Sequence, residues 1–447
     1  MSSEKVRFAP SPTGQLHVGN VRTALVNYLF ARHHGGQFML RIDDTDTERS
    51  TQAFEASIRD DILWLGMGWD CEDRQSNRLE RYDDALARLV AAGRAYPCFE
   101  TAEELGLKRK AQLMAGKPPV YDRAALKLTP EQIEALKAEG KTPHYRFLLN
   151  HEQVSWTDLV RGDVSYHMSS LSDPVLMRED GRVIYTLASV VDDIDHGITT
   201  ILRGEDHVTN SAAQIQLFEA LGSPAPKMGH LALLAGMEGE GLSKRLGSLS
   251  IAQLREEGIQ SAAITSLLGR IGTSHPIEAF ADMQPLIESF DMAAFGRSTA
   301  KFSHSELGQI NAKLLQGLDF DNVAEQLLAL GLAEITPLFW EVVKGNIDRL
   351  EDAGMWWQIC HQPVTPDIED AEFIGQAASL ISEDEFDADS WSAWTKAVSA
   401  QTGAKGRGLF MPLRKALTGQ SHGPDMGQLL PFIGRQTALA RLQGKTA

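Results

Sequence analysis

The stretch Val6-Arg7-Phe8-Ala9-Pro10-Ser11-Pro12 restricts the fold of this chain more than any other. It starts as a strand and is stopped by two prolines, neither of which can donate to a ladder. Thr13-Gly14 then turns the chain, and Gly19 opens a helical run through Arg32. Gln37 to Ile42 alternates as a second strand, Asp43-Asp44-Thr45-Asp46 ends it, and Ser50 to Leu65 has helical spacing with Ser50 or Thr51 as its N-cap. Strand, helix, strand, helix is the order of a parallel, doubly wound α/β sheet, because a crossover helix returns the chain to lay down each parallel neighbour.

From Asn77 to Arg182 the periodicity is irregular. A Lys-rich helix near Glu103–Met114, the break Gly116-Lys117-Pro118-Pro119 and short strands around Tyr145–Leu149 predict an inserted mixed α/β domain. The α/β pattern then resumes. Ile184 to Val191 is apolar, Ile198 to Leu202 is strand-like, Ser211 to Leu221 is helical, and Gly229 to Ala235 reads as a buried strand ahead of the polar loop Glu238–Ser248. Beyond Ile251 helices succeed one another between Gly, Pro and Ser breaks, with no internal repeat. A chain of 447 residues holds three or four domains, taking about 100–200 residues for each.

Cys71, Cys98 and Cys360 are odd in number and form no CxxC or CxC pair, so neither a disulfide framework nor a zinc ribbon is suggested and a reducing cytoplasm is expected. No leader of basic then apolar residues opens the chain, and no stretch reaches the roughly 18 apolar residues that span a bilayer. A net charge of −17 is the wrong sign for an indiscriminate nucleic-acid binder, so any RNA contact has to be local. Val364 to Ser390 carries nine acidic residues and no basic one, whereas Lys396 to Ala447 carries eight Lys or Arg against Asp425 alone. Those two blocks fit a solvated acidic face with a basic helical tail, and equally a surface turned toward nucleic acid.

Two short motifs carry chemistry. Leu16-His17-Val18-Gly19-Asn20 lies where a strand hands over to a helix, so free N–H groups at the helix start face an anion, Gly19 admits a flat ring or phosphate, and His17 can donate to a phosphate oxygen. Alone, such a histidine is equally a capping residue. Gly241-Leu242-Ser243-Lys244-Arg245-Leu246-Gly247-Ser248 is a glycine-bounded loop with two adjacent cations, able to close on a triphosphate or to remain a solvated turn. GxxxxGK[ST] does not occur, which sets aside a P-loop nucleotidase.

Taken together, a HVGN turn after the first strand and an LSKR loop after the last strand of one α/β domain resemble the HIGH and KMSKS signatures of class I aminoacyl-tRNA synthetases. Arg7 through Gly14, Arg22-Thr23-Ala24-Leu25, Leu40 through Asp46, Tyr185 through Asp193 and Leu202 through His207 resemble the glutamyl/glutaminyl branch, and the likeness returns at Lys405-Gly406-Arg407, Pro412-Leu413-Arg414 and Ala416 through Gly419. The resemblance implies a Rossmann-like catalytic domain (1–76 and 184–250) split by an acceptor-binding insertion (77–183), then an all-α stem-contact domain (251–320) and an all-α anticodon-binding domain (321–447). It implies activation of L-glutamate with ATP and Mg²⁺, transfer to the terminal adenosine of tRNA-Glu, and a cytoplasmic monomer; whether tRNA-Gln is also charged stays open.

By the same resemblance, ATP is bound by His17, Gly19, Asn20, Ser243, Lys244 and Arg245, with His17 and Lys244 serving catalysis. Arg7 and Arg203 with the Tyr185 hydroxyl receive the γ-carboxylate, and Asp43, helped by Ser11, receives the α-ammonium. A structural ion pair is the competing reading for the arginines. Three positions depart from the pattern: Asn20 for its final His, Gly241 for its first Lys, and Asp43 where glutamyl members commonly carry Glu and glutaminyl members Asp. The zinc ligands of some relatives are missing around Cys98 and Tyr121–Arg123, so no zinc is expected. A glutaminyl enzyme, an enzyme glutamylating a tRNA base and a non-catalytic RNA-binding paralogue are the alternatives. A helical C-terminal third disfavours the first two, and retention of Lys244, Arg7 and Arg203 disfavours the third.

Overall fold

Val6, Arg7 and Phe8 are all buried, as befits a strand covered on both faces by helices. In the computed structural model, which describes residues 3–239 and 249–447, they belong to strand β1 (Lys5–Phe8). Helix α1 (Val18–His33) returns the chain to β2 (Gln37–Ile42), and α2 (Gln52–Trp64) returns it to β3 (Cys71–Arg74). Both ladders are parallel, with Arg7 opposite Met39 and Arg41 opposite Asp73. Thr51 is the N-cap of α2, its hydroxyl accepting from the Phe54 N–H at 3.2 Å.

The segment 77–183 contributes α3 (Leu79–Ala91), β4 (Ala95–Cys98), α4 (Ala102–Met114), α5 (Pro130–Ala138), β5 (His144–Phe147), the hairpin β6 (Gln153–Asp158) and β7 (Gly162–His167), and β8 (Val175–Met177). Strands β4, β5 and β8 make an antiparallel sheet, unlike the parallel ladders around them. This segment shares one apolar core with the stretch C-terminal to it. Tyr82, Phe147, Met168 and Leu176 pack in the same cluster as Leu187 and Leu217.

The apolar run from Ile184 is helix α6 (Tyr185–Asp195), succeeded by β9 (Thr200–Gly204), α7 (Val208–Ala220) and β10 (Lys227–Leu231). Thr199 donates its N–H to the Lys5 carbonyl and accepts from the Lys5 N–H, which sets β9 beside β1. The parallel pairs therefore line up as β3-β2-β1-β9-β10, and the order reverses between β1 and β9. Ligands of doubly wound sheets bind outside the carboxyl ends of the strands at such a reversal. Asn27 of α1 secures it, donating to the Leu202 carbonyl of β9 at 3.0 Å.

The expected strand Gly229–Ala235 is two pieces, β10 and β11 (Leu234–Ala235), the latter pairing with β12 (Ala300–Lys301). Between them the Ala232 carbonyl turns to accept from Arg22 of α1 at 2.6 Å, which takes it out of the ladder.

The chain divides into two compact units, Met1–Glu256 with Ile264–Ser303, and Glu257–Ala263 with His304–Ala447, so residues 251–320 contribute to both. All regular elements described in the second unit are helical, from His304–Gly317 to Arg435–Leu442. Its core is built on Phe339, Trp340, Trp356, Trp394 and Leu413. Trp340 is fully buried and donates its indole N–H to the Leu318 carbonyl at 3.0 Å. Trp340→Ala is expected to lower the stability of this unit by about 3–5 kcal/mol. Urea unfolding monitored by far-UV circular dichroism checks it, and an unchanged midpoint would contradict the packing described.

Candidate active site

The turn after β1 is fixed before any ligand arrives. His17 is the N-cap of α1, its Nδ1 accepting from the Gly19 N–H at 3.1 Å while the Asn20 side chain accepts from the His17 N–H at 3.4 Å. Asn20, a departure from the HIGH pattern, thus completes a reciprocal cap. With Nδ1 acting as acceptor, the neutral ring carries its proton on Nε2, and burial pushes its pKa below the ordinary histidine value. The imidazole is a neutral donor at the positive end of a helix whose first N–H groups are already engaged, so its Nε2 proton and the helix dipole are what it offers to phosphate oxygens. A Cβ at Gly19 would sit 3.0 Å from the His17 ring, so glycine keeps that ring in place.

The same turn holds Leu249, Ser250 and Ile251. Val18 donates to the Leu249 carbonyl at 3.2 Å, Ile251 to the Leu16 carbonyl at 2.9 Å, and His17 faces Ser250 in an antiparallel bridge. Ser243, Lys244 and Arg245 lie outside the described residues, as does Gly241.

Two guanidinium groups enter the sheet from β1 and β2. Arg7 donates through Nε and Nη2 to Asp193 of α6 at 3.1 and 3.3 Å. Arg41, fully buried, donates to Asp43 at 2.7 and 3.2 Å and to Asp193 at 2.7 Å. Asp192 is shared outward, accepting from Arg78 at 2.7 Å, Gln75 at 2.8 Å and the Tyr82 hydroxyl at 3.0 Å. Burial pushes the Asp43 carboxyl up and Arg41, which it shares with Asp193 and Asp192, pulls it only part of the way back, to about 6. Asp43 therefore gains from an added cation such as an ammonium. Ser11 is exposed on the loop beyond β1, whose Pro10 carbonyl accepts from the Asp43 N–H at 3.0 Å.

Arg203 at the end of β9 differs in kind. It is 5% exposed, and its partners are the Tyr185 hydroxyl at 2.7 Å, the Ser211 hydroxyl at 2.6 Å and the Gln214 amide oxygen at 2.7 Å, all neutral. Among the described residues it makes no ion pair. A buried cation held by neutral acceptors is a receptor for an anion, because a carboxylate brought to it recovers the Coulomb energy that burial leaves unused. Arg7 is already committed to Asp193 through two of its nitrogens. Just beyond β9 a cavity of about 550 Å³ is lined by Arg161, Tyr166, Glu205, Thr209 and Arg297 among others.

The structure thus gathers Arg203 with Tyr185, Arg7 with Asp43 through Asp193 and Arg41, and His17 with Gly19 and Asn20 as three parts of the switch-point end of one sheet. Sequence reasoning missed Arg41 and the acceptors Ser211 and Gln214, and left Asp193 without a role. The signal for Arg41 was there, since a lone arginine in the buried run Phe38–Ile42 requires a buried acid.

A family model described as tRNA synthetases class I (E and Q), catalytic domain, matches residues 4–309, and one described as anticodon binding domain matches 364–445. The chain belongs to this class I synthetase family. Its relatives include Glutamate--tRNA ligase 1 of Maricaulis maris, 54% identical over 99% of this chain and all of that protein. The Glutamate--tRNA ligase of Azospirillum brasilense is 52% identical over the whole of both. The crystal structure of a glutamate tRNA ligase from Elizabethkingia meningosepticum in complex with its amino acid superposes with a TM-score of 0.86 at 29% identity, covering 99% of this chain and 98% of that one. The architecture is that of the family: a class I catalytic domain and, after it, a helical anticodon region.

The raised Asp43 acid has a defined effect on stability. The folded state keeps a proton that the unfolded chain, near the ordinary value of 3.8, releases. Asp43 therefore adds stability at low pH that is lost as pH rises through about 6. Asp43→Asn lacks that loss, so its unfolding temperature relative to the parent protein should climb as pH is raised from about 4 to about 7. Parallel thermal scans across that range check it; a constant difference would mean that Asp43 titrates in its ordinary range.

Proposed function

We propose that this protein is a glutamate--tRNA ligase, and that Arg203 is the observation that carries the choice of amino acid. The γ-carboxylate of glutamate pairs with Arg203, with the Tyr185 hydroxyl beside it, and Arg7 adds positive potential from the neighbouring strand. The α-ammonium takes Asp43, assisted by Ser11. ATP, with its Mg²⁺ as co-substrate, places its phosphates against the start of α1, where the Gly19 backbone admits them and the Nε2 proton of His17 and the amide of Asn20 can donate. Ser243, Lys244 and Arg245 then approach the leaving end.

No side chain has to act as nucleophile. The glutamate α-carboxylate oxygen attacks the α-phosphate, its bond to pyrophosphate breaks, and a mixed anhydride with AMP forms. The 2′-hydroxyl of the terminal adenosine of tRNA-Glu then attacks the anhydride carbonyl, and AMP leaves. Fixed donors and cations stabilise the charge that develops in both steps. We read 77–183 as acceptor-binding, 251–320 as stem-contacting and 321–447 as anticodon-reading, with the basic segment after Lys396 turned toward RNA. The working form on this reading is a cytoplasmic monomer, and tRNA-Gln is a second tRNA to assay. On this reading Cys98 is a buried structural thiol beside the Tyr121 hydroxyl at 3.8 Å, and no zinc is called for. No helix among the described residues is long and apolar enough to cross a membrane.

Glutamine would leave Arg203 facing a neutral amide, so glutamate should be preferred by about 10⁴ in kcat/KM. Pyrophosphate exchange with each amino acid in the presence of tRNA-Glu measures the ratio, and equal rates would favour the glutaminyl alternative. Lys244 should contact the pyrophosphate most strongly as its charge grows. Lys244→Ala is therefore expected to lower kcat for adenylate formation by about 10²–10³ with the ATP KM within a few-fold. An unaffected single-turnover rate would make the loop a solvated turn.

A further inference from the structure

We infer that Asp158, His230 and Ser211 form a hydrogen-bonded relay that positions Arg203 for an anionic side chain, which makes all three specificity-determining positioning residues. The inference rests on Arg203 being the amino-acid pocket's cation. The four residues come from four elements: Asp158 from the end of β6, His230 from β10, Ser211 from α7 and Arg203 from β9. All are buried, His230 and Ser211 completely.

The direction of each bond is set by the one before it. Asp158 Oδ1 is saturated by the backbone N–H groups of Val160, Arg161 and His230 at 3.0, 3.0 and 3.1 Å. Oδ2 lies 2.5 Å from Nδ1 of His230, with the Trp156 indole at 3.4 Å. Burial acts to raise this carboxyl, but those donors hold it down near 2, so it is an anion that can only accept. Nδ1 therefore carries the imidazole proton, and Nε2 presents a lone pair. The Ser211 hydroxyl has one proton and two acceptors in reach, Nε2 at 2.8 Å and the His207 carbonyl at 3.3 Å, and the shorter contact takes it. The oxygen of Ser211 then turns its lone pairs to Nη2 of Arg203 at 2.6 Å, and Nε of Arg203 points at the same imidazole nitrogen at 3.5 Å.

Comparison with Arg7 shows what the relay achieves. Asp193 sits directly on Arg7, taking its Nε and Nη2 and neutralising its charge at contact. Asp158 is two groups removed from Arg203. Its charge polarises the chain and fixes the guanidinium, whose bonds to His230, Tyr185, Ser211 and Gln214 leave one N–H, on Nη1, for a ligand. A neutral environment without an anion behind it would orient Arg203 less firmly, since each hydroxyl and ring in the chain could otherwise rotate or take the other tautomer.

The test is aminoacylation kinetics of the full chain with tRNA-Glu, glutamate and glutamine for Ser211→Ala, Asp158→Asn and Arg203→Lys. Loss of one hydrogen bond to a charged group should raise the glutamate KM by roughly 10- to 100-fold in Ser211→Ala, with the ATP KM within a few-fold. The ratio of kcat/KM for glutamate over glutamine should fall by a similar factor, because glutamine draws little on the cation. Asp158→Asn should do the same; if it fails to fold, Ser211→Ala decides alone, since it removes a single oxygen. A merely structural role would leave that ratio unchanged or move the glutamate and ATP KM values together, and either result overturns the relay. Should Arg203→Lys itself leave the glutamate KM and the ratio unchanged, the pocket reading fails instead.

Discussion

The site depends on keeping guanidinium groups charged where water does not reach. Arg41 is the extreme case, with no exposed surface and three carboxylates around it. Burial works against its charge, and Asp43, Asp193 and Asp192 more than offset that, raising its pKa well above the ordinary arginine value. A well-packed apolar replacement of such a network is often neutral or more stable, so its presence is weak evidence for stability. Its value lies in direction: strands β1 and β2 and helix α6 are locked in one register at the carboxyl end of the sheet, where the reversal of strand order opens a crevice.

Charge around that crevice is unevenly settled, and on the proposed function the unevenness is the source of selectivity. Arg7 and Arg41 are met by acids, Arg203 by neutral oxygens, and Asp43 by half of an arginine. An amino acid with an acidic side chain brings a carboxylate and an ammonium, one for each of the two unsettled groups. The turn before α1 is different again, a helix start with a neutral imidazole whose proton position is dictated by the cap.

Much of this was legible in the sequence, for identifiable reasons. Prolines at 10 and 12 fixed where β1 stops, the spacing from Gly19 to Arg32 fixed α1, and Thr51 capped α2, all through local backbone physics that needs no tertiary context. Arg7, Arg203, Tyr185 and Asp43 were assigned through family likeness, and the fold brings them to one end of one sheet. What sequence reasoning could not supply was who holds whom. Arg41 with Asp193, or Asp158 with His230, are pairs 152 and 72 residues apart, and no periodicity encodes them. The split of Gly229–Ala235 into two strands likewise turns on Arg22, more than 200 residues away, drawing the Ala232 carbonyl out of line.

That separation bears on how the protein acquires its activity. Arg41 and Asp193 are 152 residues apart along the chain. At about 5–20 residues per second of synthesis, β2 exists for roughly 8–30 s before the acids of α6 emerge. During that interval Arg41 has only Asp43 to pair with and Arg7 has no acid at all, so Arg7 cannot be buried without an unpaired charge. The crevice then cannot close before α6 has been made. A half-built sheet therefore has no means of forming the site.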